Sequence, residues 1–366
     1  MERAICANNW QPNGPCQSFR RFRSKGVINR HSISKPDLHR FLLKKGVLAS
    51  QESDTGLLAY YLSSFTFDYF DRNHLSELLT TTPKRENVSS STIKTEENPA
   101  LSDEAIRQAL TVLKGELATD PDCAANVVCS KDSFVLDITY KDHDLRKPEA
   151  RQIETKKAQV EIIKDEIGYT IRSPANDFGS KIVEQLKDSL SKEVEGQLVV
   201  KELSLTSITD SLYVSKFFEI LMNNVEGYNL KDVTNVKLFH PEDDEESEEI
   251  AASHIRKAML NGEQVLISPE LKSLFDRGFH ISSVQWVSDE KLHAGDRVAF
   301  EASLKKPETK EGFSFQIRGI YRYSERTHDI TQKLTTPSNI EKKAIHKKLE
   351  QASENALSEV NAMLED

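Results

Sequence analysis

The chain has 366 residues, a net charge of −9 and a mean hydropathy of −0.53, values typical of a polar globular protein with two or three domains. No apolar run reaches the roughly 18–20 residues of a membrane-spanning helix, and the first thirty residues lack the apolar core of a secretory signal peptide. We therefore expect a cytoplasmic protein without membrane contact. The Gly-rich nucleotide-binding motifs and C-x-x-C pairs are missing from the sequence, so it predicts no cofactor and no metal site.

Positive charge is concentrated at the start of the chain. Residues 1–45 contain ten Lys and Arg against two acids, a net +8, so the remainder carries −17. Residues 1–33 show no helical or strand period and are predicted to form a basic disordered arm. Within it, cations that neutralise phosphates alternate with aromatic rings that stack on bases. These candidate nucleic-acid-binding residues are Arg20, Arg21, Phe22, Arg23 and Lys25.

The same arm is open to two other interpretations. It is also consistent with a solvated tail that folds back onto the acidic body, and with an organelle-targeting segment.

A small helical module is predicted over residues 34–80, because Ser34 is a typical helix N-cap and Gly46 a typical helix end. Short helices of this kind either read DNA or dock other proteins. Residues 81–100, rich in Ser, Thr, Glu and Pro, are predicted to be a linker.

Two α+β units follow the linker, over residues 101–241 and 242–366. In the first, alternating apolar residues predict three strands followed by a helix, then a strand, a helix and a strand. Their predicted bounds are Ser133–Tyr140, Arg151–Ile163, Ile167–Ser173, Asp177–Val194, Leu198–Ile208, Ser211–Asn224 and Asp232–His240. The last three of these elements are a strand, a helix and a strand, and their spacing is compatible with a parallel pairing of the two strands.

The second unit repeats the order of three strands and a helix. An acidic run precedes a predicted helix over Ile250–Leu260. The strands and the closing helix are predicted at Phe279–Ser288, Arg297–Leu304, Phe313–Tyr323 and Ser338–Glu365. The predicted fold is therefore α+β, with antiparallel three-strand meanders, each followed by a covering helix, around a central strand-helix-strand unit.

Three residues in the first meander are candidates for catalysis. Asp137 lies on one strand and Glu154 and Lys156 lie on the next, in a Glu-x-Lys arrangement. This pattern resembles the core of the PD-(D/E)XK nucleases. The resemblance implies that the two acids hold Mg²⁺ and that the lysine activates water, so Mg²⁺ is the expected cofactor only under this alternative.

The closing helix carries a narrow apolar seam at spacings of three and four residues. A basic first half and an acidic second half would match a second copy running antiparallel, so self-association through residues 338–366 is an alternative to covering the protein's own sheet. The seam consists of Ile345, Leu349, Ala352, Ala356, Val360 and Met363.

These patterns lead to three functional hypotheses. The first is a non-enzymatic binding or regulatory protein that contacts nucleic acid through the arm. The second is the Mg²⁺-dependent nuclease, and the third is a protein-interaction scaffold that oligomerises through the closing helix.

Overall fold

Helices and antiparallel strands contribute about equally to the computed structural model of the protein, which has an α+β fold. The residues that it describes are 33–79, 86–95, 101–130, 133–147, 152–165, 168–193, 198–241, 256–292 and 294–365. Residues 1–32 of the predicted basic arm therefore lie outside the described residues. Across the described ranges, no helix combines the length and apolar character needed to cross a bilayer.

The chain forms two compact units. The first is drawn from Met1–Pro83, Asp120–Ala124 and Thr139–Lys157, and the second from Lys84–Thr119, Ala125–Ile138 and Ala158–Asp366.

The first unit contains the predicted helical module. Its helices are α1 (Lys35–Lys44), α2 (Thr55–Leu62) and α3 (Tyr69–Leu79). Ser34 and Asp54 cap α1 and α2 by accepting hydrogen bonds from backbone N–H groups of the first turn, which are otherwise unpaired. The helices enclose a small apolar core made of Ile33, Leu38, Phe41, Leu42, Leu58, Ala59, Leu62, Phe67 and Leu75.

The second unit adds five α-helices in its described residues: α4 (Asp103–Leu117), α5 (Asp177–Glu193), α6 (Ser211–Asn223), α7 (Pro269–Asp276) and α8 (Asn339–Glu365). The strands are β1 (Val88–Thr95), β2 (Cys123–Cys129), β3 (Ser133–His143), β4 (Ile153–Asp165), β5 (Gly168–Pro174), β6 (Leu198–Glu202), β7 (Tyr228–Phe239), β8 (Lys257–Asn261), β9 (His280–Glu290), β10 (Arg297–Lys306), β11 (Glu311–Ser324) and β12 (Asp329–Thr335). Along the sheet the order is β2-β3-β4-β5-β1-β11-β10-β9-β7-β8, with β12 paired to β11 and β6 to β1.

Both predicted meanders are present. Strands β3, β4 and β5 are neighbours and lead into α5, and β9, β10 and β11 are likewise neighbours. The second meander differs in one respect, because β12 lies between β11 and α8.

The predicted linker is corrected by β1, which occupies residues 88–95 in the middle of the sheet. It pairs with β5 from Val88 to Ile93, and with β6 through the second half of its length. The Ser and Thr residues that suggested a linker lie in an interior strand, where hydrogen bonds to both neighbours compensate for low hydrophobicity.

The predicted boundary between residues 241 and 242 has no counterpart in the sheet, since β7 pairs directly with β9. Strand β6 pairs with β1 and not with β7, so the parallel pair is not formed. The last residues of the predicted helix Ile250–Leu260 are also strand, because Lys257–Asn261 form β8 against β7. Pairing with an open strand edge overrides a weak helical pattern at these positions.

Helices α6 and α8 pack on the same side of the sheet and contact each other. Their apolar residues join those of β7 and β9–β11 in one large core. Among the described residues of this unit, two histidines are buried: His280 on β9 and His346 on α8. Burial, together with the charges of Lys310 and His240, lowers the pKa of His280 to about 4. Burial, with Arg172 and Lys342, lowers the pKa of His346 to about 3.

These histidines should make the protein sensitive to mild acid. The unfolded chain takes up protons near pH 6.5, but the folded chain accepts them only near pH 3–4, so stability is full above about pH 6.5 and falls below it. Between pH 7 and 5 we expect each histidine to lower the free energy of unfolding by about 2 kcal/mol. Urea unfolding at both pH values measures the loss.

The variant H346L should lose about half of this pH dependence, because one of the two titrating groups is gone. Replacement of the exposed His328 by Asn is the matched control and should leave it unchanged. A pH dependence in H346L as large as in the natural chain would contradict the assignment.

Candidate functional site

The predicted catalytic residue Asp137 lies on the exposed side of β3. Its Oδ1 accepts a hydrogen bond from Nε2 of Gln159 on β4, at 2.8 Å. Gln159 is exposed, so this pair belongs to the outer surface of the sheet.

Glu154 and Lys156 lie on the other side of β4. They share the alternation of Ala158 and Val160, which are buried, whereas Gln159 points the opposite way. Lys156 donates a hydrogen bond to Asp142 at 2.5 Å, and Glu154 is paired with Lys147 at 2.9 Å.

Asp137 belongs to the second unit, whereas Glu154 and Lys156 belong to the first. In the described ranges no cluster of three or more acids, histidines or cysteines has the arrangement of a metal site. Whether the protein cleaves nucleic acid stays a prediction from the pattern, and this geometry does not add to it.

The nucleic-acid-binding candidates Arg20, Arg21, Phe22, Arg23 and Lys25 lie outside the described residues. The closing helix α8 lies entirely within the described residues. Five of the seam residues are at most 4% exposed, and Met363 packs against the same core. The seam covers the protein's own sheet, because that contact removes its apolar surface from water within one chain. Self-association through residues 338–366 stays a prediction.

The stripe beside the seam on α8 borders a cleft of about 110 Å³. The cleft lies within the second unit, between α8 and strands β1, β6 and β11. Its α8 residues recur every three or four positions and so lie along one side of the helix. They are Glu350, Ser353, Glu354, Leu357, Ser358 and Asn361.

The apolar part of the cleft is formed by the buried rings of Phe313 and Phe315, whose centroids are 6.2 Å apart. Leu203 and Leu357 extend this surface. An aromatic floor of this kind gains free energy when it contacts an apolar group.

The polar part of the cleft comes from register across neighbouring strands. Thr92 on β1 lies opposite Lys201 on β6, and Ser90 lies opposite Arg172 on β5. Directly opposed residues project from the same face of a sheet. The hydroxyl groups of Ser90 and Thr92 and the ammonium group of Lys201 consequently line the cleft together.

A buried ion pair holds α8 beside this polar row. Arg172 is 5% exposed and donates two hydrogen bonds to the carboxylate of Glu350, at 2.6 and 2.7 Å. Its Nη1 also lies 3.8 Å from Glu161 on β4. A planar guanidinium that binds a carboxylate at two points restricts both position and rotation, so the pair orients α8 over β5.

Two charged groups of the cleft remain uncompensated. Lys201 and Glu354 are both exposed, and within the described part of the chain neither forms an ion pair. The lining thus combines one available cation, one available anion, two hydroxyl groups and an aromatic floor. This is chemistry suited to holding a small molecule that has both charges and an apolar group.

Sequence reasoning missed most of this site. Ser90 and Thr92 lie in the predicted linker, and Glu354 lies in the acidic half of α8. The signal that was available is the stretch Val88–Thr95, where Val88, Thr92, Ile93 and Thr95 are β-branched residues of good strand propensity.

No protein-family model matches the sequence, and no curated protein matches it either.

Removing one member of the buried pair should be costly. We expect R172L to lower the free energy of unfolding by about 3–5 kcal/mol, because it leaves the carboxylate of Glu350 buried without its cation. The double variant R172L/E350L should lose much less than the sum of the single variants, since it leaves no unpaired charge behind. Urea unfolding at pH 7 measures all three.

The exposed pair of Arg146 and Asp144, 3.9 Å apart, offers the matched control. R146A should change stability by less than about 1 kcal/mol. Additive losses in R172L and E350L would contradict a specific pairing.

Proposed function

We propose that the protein is a binding protein and that the α8 cleft takes up a small amphipathic zwitterion of the size of an aliphatic α-amino acid. The observation that carries this proposal is the pair of uncompensated charges, Lys201 on the sheet side and Glu354 on the helix side, beside an aromatic floor. The carboxylate of the ligand contacts Lys201, Ser90 and Thr92, and its ammonium group contacts Glu354. Its side chain lies against Phe313 and Phe315.

The size of the cleft supports this class of ligand. An apolar cavity of about 150 Å³ accommodates benzene, and sites for drug-sized ligands have about 300–1,000 Å³. A volume of about 110 Å³ fits a molecule with few heavy atoms. Uptake of such a ligand would stabilise the contact between α8 and the sheet, which is a plausible basis for regulation by the ligand.

Isothermal titration with L-valine tests the proposal, with N-acetyl-L-valine and L-valinamide as probes that each lack one charge. We expect both probes to bind about tenfold or more weakly than L-valine, because each leaves one protein charge without its partner. K201M should weaken the binding of L-valine to a similar extent and leave the affinity for L-valinamide almost unchanged. E354Q should likewise weaken the binding of L-valine and should leave the affinity for N-acetyl-L-valine almost unchanged.

K272M, which removes an exposed lysine on α7 outside the cleft, is the matched control and should behave like the natural chain. The proposal is wrong if no heat is measured for L-valine at millimolar concentration. It is also wrong if K201M and K272M bind L-valine equally well.

We propose nucleic-acid binding through the basic arm as a second candidate function. The observation that favours it is the net +8 of residues 1–45, within which Phe22 stands between Arg21 and Arg23. Such a segment attracts the phosphates of a nucleic acid whatever its base sequence, and the attraction weakens as the salt concentration increases.

The triple variant R20A/R21A/R23A should bind a single-stranded oligonucleotide more weakly than the natural chain. We expect the slope of log K against log salt to become shallower by about 2, because three phosphate contacts are lost at about 0.7 each. Fluorescence anisotropy at several salt concentrations measures this slope.

The control K257A/K272A/R326A removes the same charge from exposed positions of the body and should keep the slope. Salt-independent binding, or equal slopes for the two triple variants, would exclude the arm as the binding element.

A further inference from the structure

Helix α2 exposes apolar side chains on its outer face. Leu57 and Tyr61 are 57% and 52% exposed, and Tyr60 is 54% exposed. Because these positions are three and four residues apart, they lie on one side of the helix. The opposite side, with Leu58 and Leu62, is already buried in the core of the module. A short helix that is apolar on both sides is typical of a helix with something docked on its outer side.

The stretch of chain that contains this face is acidic. Residues 46–71 contain four acids and neither Lys nor Arg. Asp71 is paired with Lys45, but within the described residues Glu52, Asp54 and Asp68 have no cationic partner. The segment that docks here is therefore expected to be cationic and to carry apolar or aromatic residues.

The protein has such a segment nearby in sequence. Phe19–Lys25 contains two phenylalanines, three arginines and a lysine. Ile33, the first described residue, belongs to the same core cluster as Leu58 and Leu62 of α2. The eight residue steps from Lys25 to Ile33 span up to about 27 Å, whereas a helix of this length measures about 12 Å. Every point of α2 is within reach, so the segment is present at high effective concentration.

We propose that Phe19–Lys25 docks on the outer face of α2 within the same chain. The phenylalanine rings cover Leu57 and Tyr61, and the cations pair with Glu52, Asp54 and Asp68. Docking occupies the cations that the second candidate function assigns to phosphates, so the arm is either bound to α2 or available to an anionic ligand. The docking itself does not depend on that function.

Zero-length carbodiimide cross-linking of the full chain, followed by mass spectrometry, tests the proposal. We expect amide bonds between the Lys25 Nζ and the carboxylates of Glu52 or Asp54. In an equal mixture of ¹⁴N-labelled and ¹⁵N-labelled protein, these links should join only peptides that carry the same label, because they form within one chain.

The variant L57S/Y61S keeps every reacting group and should lower the yield of these links by about tenfold, since it removes the apolar contacts. Both positions are exposed, so the module should keep its folded far-UV circular dichroism. F19S/F22S alters only the arm and should give the same loss. L212S, at an exposed leucine of α6, is the matched control and should keep the natural yield.

Three results would overturn the proposal. Links between differently labelled peptides would identify a second copy as the occupant. Absence of any link from Lys25 would show that the arm does not reach the face. A cross-link yield in both L57S/Y61S and F19S/F22S equal to that of the natural chain would show that these apolar side chains do not hold the arm.

Discussion

Strand β1 is the element on which the second unit depends. Its backbone pairs with β5 on one edge and with β6 and β11 on the other, so it connects the first meander to the second. Without β1, the edges of these strands would present unpaired N–H and C=O groups, which cost free energy when buried and invite aggregation when exposed. The hydrogen bonds of β1 thus supply what its Ser-rich and Thr-rich side chains cannot supply through hydrophobic burial.

The same strand explains why the layer beneath α8 is partly polar. Its hydroxyl groups lie in register with Arg172 and Lys201, and Arg172 in turn binds Glu350 of the helix. Burying these charges carries a desolvation cost that a purely apolar layer would avoid. The charges instead fix the position of α8. A guanidinium that donates two hydrogen bonds to one carboxylate allows a single relative orientation, whereas apolar packing allows several. The cleft lies where the stripe of α8 beside the apolar seam faces this polar row of β1 and β6.

The two surfaces proposed for binding belong to different units and use different chemistry. The cleft is small, with opposite charges over aromatic rings, and is suited to a ligand of few atoms. The outer face of α2 is apolar and lies in an acidic stretch of the chain, and is suited to a peptide segment. Under the two proposals, the cleft senses a small molecule and the outer face of α2 controls a charged arm. Either property stands without the other.

The elements with strong periodicity were predictable from sequence. Alternation in β3, β9 and β11 and the apolar seam of α8 depend on local spacing, because one face of each element must be buried whatever its neighbours are. The α+β class and both meanders follow from these patterns.

Tertiary structure alone decided the rest. Residues 88–95 become a strand because two open edges accept them, and residues 257–261 do so because β7 is available. Asp137 meets Gln159 of β4 because strand register brings these two residues together, a relation that spacing along the chain does not contain. The cleft likewise depends on cross-strand register and on the position of α8. Contacts between residues distant in sequence create it, whereas the sequence by itself determined only the faces that had to be covered.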